Sequence, residues 1–134
     1  MEAAIFDTTV WIDFMNGVED DRTILLENYI KNASSNLYLM PTILQEILQG
    51  LRTEQDFLKT KNILESFNIL DSDWQDRSIE ASKLYFELRK KGVTIRKSTD
   101  CLIAAVAICY DFLLVHNDTD FDKITSYYSL RTHR

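Results

Sequence analysis

Three aspartates, Asp118, Asp120 and Asp122, follow within seven residues of the apolar run Phe112 to Val115 in "FLLVHNDTDFD". Like charges crowded in this way raise one another's pKa values and cost stability unless a cation neutralises them. Asp7 stands at the end of another short apolar run, Asp100 opens the most apolar stretch of the chain, and Glu46 lies inside "PTILQEILQGLR". With two histidines and no plausible thiolate set, zinc is a poor match, whereas all-oxygen ligation suits Mg2+ or Mn2+. Ions of that kind act most often on phosphates, where one activates a water and a second stabilises the leaving oxygen of an in-line displacement.

Each acid has a plainer reading. Asp7 can help cap a helix beginning near Val10, and Asp100 in a first helical turn gains from the macrodipole. Glu46 falls off the stripe of Ile43, Leu44, Ile47, Leu48 and Leu51, which sends it to solvent; Gly50, one turn on, suggests a close approach to the backbone. Asp13 and Asp122 read as surface or capping residues. His116 and Asn117 either orient Asp118 or simply end a strand.

The elements that must position these residues are short. Strands are expected at residues 3 to 6, "NLYLM", "FNIL", "FLLV" and around "YYSL". Helices are expected from about Val10 to Asn16-Gly17, with Thr8 or Thr9 as cap, and over residues 20–33, 41–52, 54–66 and 75–91, the last ended by Gly92. A further helix, capped by Ser98, is apolar from Cys101 to Cys109 and must be covered on nearly all sides. Strands alternating with helices predict a parallel sheet covered on both faces, with ligands outside the carboxyl ends of the strands. Asp7 and Asp118 meet at that edge, and a right-handed crossover brings the start of the Asp100 helix to it.

At 134 residues, with 46% hydrophobic and 27% charged residues, the chain reads as one domain, 1–134. The start "MEAAIFD" lacks the features of a signal peptide and no stretch is long enough to span a membrane, so a cytosolic protein is expected. Cys101 and Cys109, eight apart in one helix, are too distant to bridge and read as packed thiols. A net charge of −6 argues against a non-specific nucleic-acid binder, though not against an enzyme that meets phosphates through metal ions.

Taken together and in order, "FDTTVWIDF", "PTILQEILQGLR" and "STDCLIAAVAICYDFLLVHNDTDFD" resemble a PIN domain, and most closely the VapC toxins of bacterial toxin–antitoxin pairs. The resemblance implies an α/β/α sandwich with a mostly parallel sheet and a metal-dependent endoribonuclease. Its acidic positions fall on Asp7, Glu46, Asp100 and Asp118, with Asp7, Asp100 and Asp118 as metal ligands. Asp120 is an accessory carboxylate, and the small polar residue near the first acid is Thr8 or Thr9. It further implies a cognate antitoxin and a homodimer.

The loop "RKKGVTIRK" holds Arg96 and Lys97 just before the Asp100 helix, a rim that could touch RNA. Trp11, Phe14, Leu25, Leu26, Tyr29 and Ile30 supply more large apolar side chains than a thin helical layer readily buries, which marks an expected interface. The alternative reading is a Mg2+-binding phosphoacceptor signalling domain, although "VHNDTDF" offers no lysine where that class needs one. An aspartyl phosphatase would want an acid at Thr9. A metal-free module of PIN-like fold would have no use for all four acids.

Overall fold

Apolar triplets too short to stand alone become strands here because each is hydrogen-bonded to a neighbour and covered by helices. In the computed structural model, which describes residues 1–71 and 73–134, β1 (Ala4–Phe6), β2 (Leu37–Leu39), β3 (Asn68–Ile69), β4 (Leu113–Val115) and β5 (Thr132–His133) form one sheet. Every pairing is parallel and the order is β3-β2-β1-β4-β5. The connections hold α1 (Thr8–Met15), α2 (Asp21–Asn32), α3 (Pro41–Gln49), α4 (Glu54–Glu65), α5 (Trp74–Lys90), α6 (Ser98–Tyr110) and α7 (Thr119–Thr125).

The chain runs outward from β1 to β3, then returns across the sheet to β4 on the other side of β1. Right-handed crossovers therefore send α1 to α4 to one face and α5 and α6 to the other. The order reverses between β1 and β4, the switch point where ligands of such sheets bind. The expected α/β/α sandwich is borne out.

Several expected boundaries move. The first helix starts at Thr8 and not near Val10, so Asp7 takes the N-cap position, yet its side chain makes no capping bond. Lys97, not Ser98, precedes the first turn of α6, again without a side-chain cap. The last strand is Thr132–His133 and not "YYSL": the amides of Tyr127 and Tyr128 close back on the Ile124 carbonyl at the end of α7, leaving Thr132 to align with Leu114. Gly50 only terminates α3. A Cβ there would meet the Ile47 and Glu46 carbonyls at 3.6 and 3.8 Å, an ordinary contact, so no close approach explains it. Gly92, at φ +79°, ends α5 as its position predicts.

The core takes three of the six residues of the expected interface, Trp11, Leu26 and Tyr29, while Phe14, Leu25 and Ile30 stay half-buried. Trp11 and Tyr29 are buried within the chain, Trp11 against Phe67 and Tyr29 edge-on to Phe6 with its hydroxyl donating to the Glu2 carbonyl. They are used up by the fold. Cys101 is buried, but Cys109 is exposed, with Arg77 donating to its sulfur; both thiols are free. Among the described residues no helix is long and apolar enough to cross a membrane.

Candidate active site

Register brings two distant acids to one edge. Phe6 aligns with Val115, and the Asp7 amide donates to the Val115 carbonyl at 2.9 Å. The chain beyond β4 thus leaves the sheet beside Asp7. His116 is fully buried and its Nδ1 accepts the Asp118 amide at 3.1 Å, so it orients Asp118 through the backbone. Asp118 then caps α7, its carboxylate accepting the Asp120 amide at 2.9 Å. This helix was not expected, because an alternation of acids reads as loop.

Carboxylate oxygens of Asp100, Asp118 and Asp120 lie within 4.8 Å of one another. Asp100, 4% exposed in the first turn of α6, has an Oδ2 with no hydrogen-bond partner. Burial, then the charges of Asp7 and Asp118, push its pKa up to about 7, with Lys97 opposing. Burial also raises Asp7, helped by Glu46 and opposed by the Thr8 amide, the Thr9 hydroxyl and Lys97. Glu46 comes in on the Asp7 side, half-buried and not in solvent, with its Oε1 accepting the Thr8 hydroxyl at 3.0 Å. Thr9 donates to Asp7 Oδ2 at 3.3 Å.

Asp120 differs from the rest. Although it is 0% exposed, its Oδ2 accepts the Arg96 amide and Nε at 3.0 and 3.1 Å, and its Oδ1 accepts Lys123 at 3.0 Å. Burial raises its pKa, but those donors outweigh burial and hold it below the usual carboxylate range. Arg96 continues to Asp118, its Nη2 lying 2.8 Å from Oδ1. Sequence reading placed Arg96 at a rim and missed its grip on two acids; Lys123 was missed altogether, though its spacing from Asp120 is one helical turn. Asp122, read as surface, pairs with Arg134 and lies 3.7 Å from His116 Nε2.

An all-oxygen cluster with an orphaned, buried carboxylate oxygen fits a hard divalent cation. Residues 4–126 match the PIN domain family model. The chain belongs to the PIN domain family. Among relatives of this PIN domain, VapC ribonuclease Mb1587 of Mycobacterium bovis is 26% identical over 120 residues, covering 90% of each chain. Ribonuclease VapC11 of Mycobacterium tuberculosis matches equally. The fold of the present chain resembles VapBC2 from Rickettsia felis bound to a promoter DNA fragment, at TM-score 0.75 and 24% identity over 97% of this chain and 96% of that one. DNA-bound VapBC from Salmonella typhimurium gives TM-score 0.75 and 21% identity over 99% and 98%. Family membership does not favour the phosphoacceptor alternative.

Proposed function

We propose that this chain is a metal-dependent endoribonuclease that acts as a toxin in the cytosol and is neutralised by a cognate antitoxin. The observation that carries the reading is Asp100: a buried, unpartnered carboxylate oxygen beside Asp118 and under the charge of Asp7, in a PIN domain whose relatives include VapC ribonucleases. Such a group is costly unless a cation meets it.

Asp7, Asp100 and Asp118 would hold Mg2+ or Mn2+, with Glu46 completing the acidic set. When bound, the ion neutralises these acids and lowers the pKa of an attacking water. Thr8 fixes Glu46 and Thr9 steadies Asp7. Both oxygens of Asp120 are taken by Arg96 and Lys123, so its role is to anchor Arg96 at the mouth of the site. Arg96 and Lys97 attract the RNA backbone locally on a chain that is acidic overall.

VapBC structures of the same fold support an antitoxin partner. A toxin homodimer is part of the same reading, on surfaces other than the buried Trp11 and Tyr29. Expression of the chain alone should arrest growth, co-expression of the partner should restore it, and mapped RNA ends should appear only in the arrested cells. Full growth at high expression, with no new ends, would overturn the reading.

A further inference from the structure

A cleft of about 640 Å3 opens between α5 and the first turns of α6, meeting the acid cluster at Arg96. Its α5 wall is one helical face: Ser78, Ser82, Tyr85, Phe86 and Arg89 recur at turn spacing, opposite Ser98 and Thr99 of α6. Among the described residues no acid lines it, in a chain with 21 acidic residues and a net charge of −6. Its two ionic side chains are Arg89 and Arg96. Phe86 is 48% exposed, while Ala81, Leu84 and Leu88 supply the buried side of the same helix, so the core does not require a large ring there. Each ring carries a cation over one face: the Lys90 ammonium is 4.5 Å from the Phe86 centroid, and the Arg89 guanidinium is 5.6 Å from that of Tyr85.

We propose that this cleft is the track for the single-stranded RNA flanking the scissile phosphate, with phosphates on Arg89, Arg96 and the hydroxyls and unpaired bases against Phe86 and Tyr85. The proposal rests on the endoribonuclease reading. Cations beside exposed rings suit an unpaired strand, whose bases have free faces and whose backbone is a polyanion. A duplex offers no such faces to side chains. With Arg89 and Arg96 as its ionic lining and no acid among its described lining residues, the cleft is complementary in charge to a polyanion, which favours nucleic acid as its occupant.

Ser82, Phe86 and Arg89 are exposed and belong to neither the acid cluster nor the core. Two variants test the track, Ser82→Glu/Arg89→Glu and Phe86→Ala, each checked for folding by circular dichroism. A short fluorescein-labelled single-stranded RNA is titrated in Ca2+ and followed by anisotropy across salt concentrations. Cleavage of bis(p-nitrophenyl) phosphate in Mn2+ reports the acid centre alone. Each variant should bind RNA about tenfold more weakly, the charge variant with a shallower salt dependence, while cleavage of the small diester is unchanged. Unchanged RNA affinity in both variants, with the parent protein still cleaving RNA, overturns the track and leaves the nuclease reading standing. A parent that neither binds nor cleaves RNA removes both. Loss of self-association or of antitoxin binding with RNA affinity intact overturns the proposal and makes the cleft a protein contact.

Discussion

Arg96 is fastened to Asp120 twice, through its backbone amide at 3.0 Å and through Nε at 3.1 Å, and both bonds end on the same carboxylate oxygen. Asp120 is fully buried and Arg96 is 66% exposed at the side chain, so the aspartate is the fixed partner and the arginine the presented one. The pair joins α7 to the loop before α6 and sets the position of a cation against Asp118.

Replacing Asp120 by Asn removes charge-assisted bonds to Arg96 and Lys123 while keeping the volume. The loss should be about 1–3 kcal/mol at neutral pH, measured by urea denaturation. Arg96→Ala should cost less, because its side chain is solvated and screened. An Asp120→Asn protein as stable as its parent would mean that these bonds contribute nothing net.

Asp100 and Asp120 should give stability opposite pH limbs. The folded-state pKa of Asp100, raised to about 7, lies above its unfolded value, so the folded state holds the proton longer. Without metal, stability on this account falls as pH rises from the unfolded pKa toward 7, then levels off. Asp100→Asn should flatten that limb and leave the protein more stable than its parent at pH 8, by something of the order of 2–4 kcal/mol. Asp120, depressed, contributes stability above its unfolded pKa that is lost as pH falls through its folded one. Chemical denaturation from pH 2 to pH 8 in chelator, on the parent and on Asp100→Asn, reads both, and the difference between the two proteins cancels the opposite slope from His116, whose pKa burial lowers; a parent whose stability changes between pH 5 and pH 7 just as that of Asp100→Asn does contradicts the Asp100 assignment.

Thr8→Val keeps the shape of Thr8 and deletes the hydroxyl that holds Glu46. Stability should fall by only about 0.5–1.5 kcal/mol, the net worth of one hydrogen bond. Cleavage should fall several-fold and need more Mn2+, because Glu46 is then free to swing. A Mn2+ titration of the cleavage rate decides it, and an unshifted midpoint would assign Thr8 to packing alone.

Much of the site was legible because strand-end rules need only local patterns. Asp7 and Asp118 follow short apolar runs, and Asp100 opens the helix that leads straight into β4, so topology alone brings them to one edge. Glu46 was legible only through the resemblance, since the bond that turns it inward comes from Thr8, 38 positions away. The double hold of Asp120 on Arg96 likewise depends on a loop whose path no periodicity records. Helix α7 was hidden because its cap, Asp118, looked like one more charge in a cluster. Trp11 and Tyr29 looked like surplus apolar surface until Phe67 and Phe6 proved to cover them.

In the proposed function, the carboxylates gathered around Asp100 would hold a divalent ion needed for RNA cleavage. The most direct test is cleavage of a labelled single-stranded RNA by the purified chain and by Asp100→Asn, with Mn2+ and with chelator, both proteins shown to be folded. Internal cleavage by the parent is expected in Mn2+ and none in chelator, with a loss of about 100-fold in Asp100→Asn, some 3 kcal/mol of transition-state stabilisation. Cleavage that survives chelation, or an Asp100→Asn protein as active as its parent, would contradict it.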